Sequence, residues 1–364
     1  MDLNQTFKDL LETGWQSWSY NSPQSFIKFP GMNFSPFSLK NLIFPKIKKI
    51  KLKKPAKGWC SWYAFGPDIN RNNVLANVKL FQKKQFRNLE YILIDDGWAV
   101  NWGDWFKTDL EKFPKGLKSF AREIKGHGFK PGIWLAPFLV HPQAMLVKEK
   151  PDWFVKDGKK FINGLKFTPI DKLLNINKFI LDTNKTEVSE YLKNVIDYLL
   201  GDCGFELIKL DFLYGIYFDP NLDIESSDKN LRALLTYIKR TYPKVYTIGS
   251  ACPLVPALDT LDSIRIGPDI FIPQFQSIPL LGSFTNKYLY SKVIKNIQNR
   301  KPAEIFWNLD PDVFVCHKNL GLKDEEFLKL QKAVLNLGGN LFLGDDLNSL
   351  SPARIERFIR PLFP

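Results

Sequence analysis

From residue 57 onward, short apolar runs that end in Gly, Asp or Trp alternate with segments of helical period. The runs cover residues 58–62, 91–98, 131–138, 206–212, 245–251, 263–269, 305–312 and 340–346. Helical spacing of apolar positions marks 73–84, 116–127, 185–200, 227–241, 287–298, 324–337 and 352–359. The fifth connection, 253–262, has room for only a short helix. Strands that read as continuous apolar runs, each followed by a helix, predict a parallel sheet covered on its outer face. Eight of them predict a (β/α)8 TIM barrel spanning residues 56–364. A doubly wound open sheet fits less well, because no glycine-rich phosphate loop follows the first run. Residues 1–55 read as a short irregular N-terminal extension packed on the barrel, and no full accessory β-domain is expected.

In such a barrel chemistry sits at the C-terminal ends of the strands. Taken in turn, those ends hold Trp59 and Trp62, Asp95 and Asp96 before Gly97 and Trp98, then Trp134, then Lys209 and Asp211. Ser250 and Cys252 follow, then Arg265 and Asp269, Asp310 and Asp312, and last Asp345 and Asp346. Carboxylates accept hydrogen bonds from paired hydroxyls and indoles stack on the apolar face of a sugar ring, so this set describes a carbohydrate pocket. Side chains alternate along a strand, which puts Lys209 and Asp211 on one face. An ammonium beside a carboxylate favours the charged form, as a nucleophile requires. Arg265 stands four residues before Asp269, and Gly267-Pro268 would end that strand and swing Asp269 over the mouth. Two carboxyls about 5–5.5 Å apart support retaining glycoside hydrolysis, and about 6.5–9.5 Å supports inversion. Each pair taken alone is equally well explained as a buried salt bridge; the whole set is not.

Composition narrows the alternatives. Hydrophobic residues make up 45% and charged residues 24% of the 364, within the range of soluble globular proteins. The net charge of +13 raises the question of nucleic acid, but the lysines are dispersed. The one dense run, Lys46 to Lys54, carries no nucleic-acid-binding signature. Three histidines and four separated cysteines supply neither a zinc cluster nor a disulfide framework. Carboxylates scattered over several strands disfavour a metal centre, so no metal or cofactor is expected. The N-terminal residues lack a signal-peptide pattern and no 18-residue apolar stretch occurs, which points to a cytoplasmic protein away from membranes. The expected partner is a small-molecule carbohydrate; oligomeric state is left open.

Seven motifs then carry a family resemblance: Gly58-Trp59-Cys60-Ser61-Trp62-Tyr63, Ile94-Asp95-Asp96-Gly97-Trp98, Gly103-Asp104-Trp105, Pro131 to Phe138, Lys209-Leu210-Asp211-Phe212, Arg265 to Asp269, and Asp310-Pro311-Asp312. In this order the chain resembles the melibiase-type α-galactosidases of glycoside hydrolase family 36. The resemblance implies that Asp211 is the nucleophile and Asp269 the general acid/base. It implies that Asp95 and Asp96 bind the 4- and 6-hydroxyls of galactose, and that Lys209 and Arg265 bind ring hydroxyls and hold the nucleophile. Trp134 and Trp59 would shape the pocket wall, and the Cys252 region would border the sugar 2-position. Galactosyl transfer of the raffinose-synthase kind and α-N-acetylgalactosaminidase activity use the same residues. A non-catalytic sugar-binding protein is the remaining alternative.

Overall fold

The computed structural model describes residues 3–12, 50–164, 177–267, 269–271 and 279–364. Among these, the first barrel strands are β1 (Lys57–Cys60), β2 (Tyr91–Ile94) and β3 (Lys130–Leu135), followed by β4 (Leu207–Leu210) and β5 (Tyr246–Gly249). Then come β6 (Ser263–Arg265), β7 (Asn308–Asp310), β8 (Val313–Phe314) and β9 (Leu341–Leu343). They form one sheet in the order β7-β6-β5-β4-β3-β2-β1-β9-β8, and every pairing is parallel. The two ends of this order, β7 and β8, are separated in the chain by Pro311 and Asp312 alone. The amide of Asn340, just before β9, donates to the Leu309 carbonyl of β7 at 2.9 Å and draws the ends together. At that seam a Cβ on Gly339 would stand 2.1 Å from the Leu309 carbonyl oxygen, so only glycine fits. The result is a TIM-barrel-like α/β fold.

Helices Arg71–Lys84, Gly116–Gly126, Thr186–Ile196, Ile224–Thr241, Pro279–Arg300 and Asp324–Leu337 overlap the segments that helical spacing marks. However, Pro279–Arg300 begins well before 287, and Thr186–Ile196 passes into a π-helical turn at Asp197–Asp202. The segment 352–359 holds only Pro352–Arg354 before another such turn at Ile355–Ile359. Capping explains two of the starts. Asn70 accepts from the amides of Asn72 and Asn73 and closes a capping box, and Asp223 accepts from Ser226 at 2.7 Å. The fifth connection carries only the short helix Leu254–Ala257, as its length requires.

Two elements differ from expectation. Part of the N-terminal extension, expected to be irregular, is the helix Leu3–Glu12, whose Phe7 is fully buried edge-on against Phe306 and beside Trp307. Leu3 and Phe7, one turn apart, are the signal that marks it. Residues 13–49 of the extension, including Trp15 and Trp18, lie outside the described residues. The second difference is an excursion after β3, where Leu139–Val140 pairs antiparallel with Phe179–Ile180, and Lys156–Asp157 with Lys160–Phe161. Strands of two residues are too short to leave a readable period.

Register decides what faces inward. Partners in a parallel ladder share a face: Gly58 pairs with Tyr91 and Tyr91 with Lys130, and two residues along that strand, on the same face, Gly132 pairs with Leu207 and Leu207 with Tyr246. At its N-terminal end the barrel is closed by polar groups that satisfy each other. The Tyr246 hydroxyl donates to Asn340 Oδ1 at 2.7 Å, Asn308 Nδ2 to that hydroxyl at 3.0 Å, and Asn340 Nδ2 to Ser263 Oγ at 2.8 Å.

Candidate active site

The same parity carries Cys60, Trp134, Lys209, Arg265 and Asp310 into the barrel at the opposite, C-terminal end. Trp134 and Lys209 are register partners, as are Arg265 and Asp310. Past β2 the chain turns through Asp95-Asp96-Gly97. Gly97 has φ +110°, and a Cβ there would lie 2.5 Å from the Pro67 carbonyl oxygen, so the glycine is required for the turn that presents the two aspartates.

Asp95 is buried. Its Oδ2 accepts from Lys209 Nζ at 2.7 Å and from the Cys60 thiol at 3.3 Å, and its Oδ1 accepts from the Asp96 amide at 2.9 Å. Burial opposes the charge on Lys209, but Asp95 first, then Cys60 and Asp211, overcome it and raise its pKa above the ordinary lysine value. Burial and the Asp95 carboxylate push the Cys60 thiol well up, so it is a neutral donor. Asp96 Oδ1 accepts from the Trp102 indole at 2.8 Å and from the Gly97 amide at 2.7 Å. Burial, reinforced by neighbouring Asp95, pushes Asp96 up to about 6 despite the Trp102 bond.

Asp211 follows β4, and its amide continues the ladder to the Leu135 carbonyl at 2.8 Å. Its Oδ2 accepts from the Trp134 indole at 3.1 Å and its Oδ1 from the Phe212 amide at 2.8 Å. That second bond uses the left-handed backbone of Phe212, φ +52°. Trp102 bridges the two groups, its ring centroid 5.0 Å from Trp134 and 5.4 Å from Phe212, with the Lys178 ammonium 4.7 Å above it.

Across the mouth, Arg265 Nη2 lies 3.1 Å from Asp269 Oδ1 and 2.5 Å from Asp312 Oδ2. The Tyr63 hydroxyl donates to the same Asp312 oxygen, and the Ile270 amide reaches it at 2.9 Å. Burial opposes the charge on Arg265, and Asp312, Tyr63 and Asp269 in turn raise it well above its ordinary value. The Asp269 side chain is 54% exposed, whereas those of Asp312 and Arg265 are nearly closed off from solvent.

The structure therefore brings Asp95, Asp96, Trp134, Lys209, Asp211, Arg265 and Asp269 to one end of the barrel, and corrects three expectations. Lys209 does not bond Asp211; its ammonium sits on Asp95, and Trp134 takes the place beside Asp211. Trp59 faces the helix layer rather than the pocket, its ring against Phe65 and Phe81 and its indole donating to the Asp345 carbonyl at 2.8 Å. The neighbouring Cys60 holds the inward position, one residue of parity away. Cys252 has no exposed surface; its thiol donates to the Pro253 carbonyl at 3.3 Å and lies on the Gly249 side of β5, away from the inward row. Tyr63 and Trp102 join the site although the sequence does not point to them as pocket residues, and Asp312, one of the strand-end carboxylates, gains partners that the sequence does not assign to it. Tyr63 and Asp312 lie inside quoted motifs, which was the available signal; Trp102 had none.

Asp345, at the end of β9, accepts the amides of Cys316 and His317 at 2.7 and 3.1 Å, and burial pushes it up to about 6 against those bonds. Its folded value thus lies above the ordinary 3.8, so between about pH 4 and 6 the folded state holds a proton that the unfolded chain releases. The stability this group supplies falls as pH rises through that window. Asp345→Asn, neutral throughout, is expected to flatten the pH dependence of urea unfolding over that interval; an unchanged slope would exclude Asp345 as its source.

Among the described residues no His, Cys, Asp and Glu cluster is suited to a metal ion, and no helix is long and apolar enough to cross a membrane.

A parallel barrel whose catalytic end is lined by aspartates, two cations and indoles is the architecture of glycoside-processing barrels, and comparison with known proteins agrees. The melibiase family model matches residues 19–253. The chain belongs to the melibiase family, of the glycoside hydrolase family 36 type. An Escherichia coli α-galactosidase is 25% identical over 178 residues, 46% of this chain and 24% of that protein. α-Galactosidase Mel36A of Lactobacillus acidophilus is 27% identical over 190 residues, 50% of this chain and 24% of the relative. The matched part thus spans about a quarter of these relatives' length. Among solved structures, the Thermus thermophilus α-galactosidase bound to p-nitrophenyl α-D-galactopyranoside superposes with TM-score 0.71 at 25% identity, covering 86% of this chain and 63% of that one. The Geobacillus stearothermophilus AgaA structure, at 15% identity and TM-score 0.62, shares the fold.

Proposed function

We propose that this chain is a retaining α-galactosidase that removes terminal α-linked galactose from oligosaccharides by double displacement. The observation that carries the proposal is the pair of aspartates at the ends of β4 and β6, differently held. Asp211 is fixed by two N–H donors, as suits a nucleophile, while Asp269 is half-exposed beside Arg265, as suits a proton carrier meeting substrate and water.

In the first step an Asp211 oxygen attacks the anomeric carbon. The bond to the leaving oxygen breaks, and Asp269 gives that oxygen its proton, leaving a covalent galactosyl-enzyme. In the second step water attacks the same carbon, Asp269 takes its proton, and Asp211 is released as carboxylate. Asp95 and Asp96 accept sugar hydroxyls. Asp96 has Oδ1 occupied by Trp102 and Gly97, which leaves Oδ2 for the ligand. Trp134 and Trp102 supply the aromatic wall, and the ion pair of Lys209 with Asp95 keeps a positive charge near the nucleophile. The division into an extension over residues 1–55 and a catalytic barrel over 56–364 belongs to this proposal.

The test is a panel of aryl α- and β-glycosides with NMR of the first-formed sugar. Turnover of the α-galactoside with α-galactose appearing first is expected; β-galactose appearing first would exclude retention. Turnover only of another glycoside would exclude the galactose assignment. Excess acceptor sugar in the same assay separates hydrolysis from galactosyl transfer.

A further inference from the structure

We propose that Asp312 is a positioning residue for the general acid/base, fixing Asp269 both through Arg265 and through the backbone that carries it. This rests on the reading of Asp269 above.

Asp312 stands at the break between β7 and β8 with φ +80°, an unusual conformation for a residue with a side chain. Its amide donates to Asp310 Oδ1 at 2.9 Å, which holds the turn. Its Oδ2 accepts hydrogen bonds from the Tyr63 hydroxyl and from the Ile270 amide at 2.9 Å, and it forms an ion pair with Arg265 Nη2 at 2.5 Å. Ile270 directly follows Asp269, so this bond pins the main chain of the acid/base residue. The next residue is held as well, since the Phe271 ring lies 4.6 Å from that of Tyr63. Arg265 Nη2, the nitrogen that meets Asp312, also meets Asp269 at 3.1 Å, while buried Arg265 Nε has no partner. The orientation of the guanidinium therefore depends on its Nη2 contacts, and Asp312 is the nearer and better buried of the two.

This arrangement addresses a conflict in the chemistry. A general acid must hold a proton in the first step, and an arginine devoted to it would keep it ionised. Asp312 gives Arg265 a second carboxylate, so its charge is divided and Asp269 can cycle between both forms without moving. The charged and titratable groups facing Asp312 are Arg265, Asp269, Tyr63, Asp310 and, more distantly, Lys209, Cys60 and Tyr290. Burial pushes Asp312 up to about 6, with Arg265 opposing and Asp269 adding to the rise, consistent with two carboxylates sharing one cation.

The experiment compares kcat/KM for two α-galactosides, one with a p-nitrophenol leaving group and one with an alkyl alcohol, in wild type, Asp312→Asn and Tyr63→Phe. The alkyl leaving group needs the acid; nitrophenolate hardly does. Asp312→Asn is expected to lose roughly a hundredfold on the alkyl substrate and less than about tenfold on the aryl one. With Arg265 left wholly to Asp269, the alkaline limb of the pH profile should move to lower pH by about one unit. Tyr63→Phe, which removes one hydroxyl, should show the same selectivity more weakly, and it decides the matter if Asp312→Asn does not fold. Equal losses on both substrates, or an unmoved alkaline limb, would overturn the proposal while leaving the α-galactosidase reading intact. A wild type inactive on all α-galactosides overturns that reading and this inference with it.

Discussion

Asp211→Asn is expected to lower kcat on p-nitrophenyl α-galactoside by about ten-thousandfold or more, the scale seen when a covalent nucleophile is removed. The substitution is nearly isosteric, and its remaining carbonyl oxygen can still accept either the Trp134 indole or the Phe212 amide, now at 3.1 and 2.8 Å from the carboxylate. The fold should therefore survive while the attacking oxygen is lost. An activated aryl substrate makes the test sharp, because acid assistance matters little for its leaving group and the whole deficit falls on nucleophilic attack. Stopped assays with active-site titration measure it, and wild-type turnover in the variant would remove Asp211 from its role.

The second large effect concerns stability. Lys209→Met should destabilise the protein by about 3–5 kcal/mol, because it leaves Asp95 buried without its cation. Nζ lies 2.7 Å from Asp95 Oδ2, and the remaining donors to Asp95, the Cys60 thiol and the Asp96 amide, are neutral. Methionine fills much of the lysine stem's volume, so the loss reports charge more than a cavity. Adding Asp95→Asn should recover a large part of it, since the uncompensated charge is then gone. Urea midpoints of the two single variants and the double variant measure the coupling. A loss below about 1 kcal/mol in Lys209→Met would mean that water or another group solvates Asp95, as happens for exposed pairs.

Much of this was legible along the chain. Buried parallel strands read as largely apolar runs, and each of the eight runs contains a strand because a strand covered on both faces carries few polar positions before its end. The carboxylates mark those ends, so the concentration of Asp95, Asp96, Asp211, Asp269, Asp312 and Asp345 towards one end of the barrel follows from topology. Local pairs were legible too: Arg265 and Asp269, four residues apart, do meet.

What the sequence by itself determined was the set of carboxylates and cations and the end of the strands that holds them. The tertiary structure decided which group faces which. Lys209 meets Asp95 across 114 residues, and Tyr63 meets Asp312 across 249, distances over which neither spacing nor alternation carries information. Trp59 and Cys60 exchange roles because the strand's inward parity is set by its neighbours' register, and one residue separates the pocket from the helix layer. Trp102 enters from a loop, where no period exists to predict it. Curling of the parallel sheet brings these positions together, and that curl is a property of the register across the whole sheet rather than of any one strand.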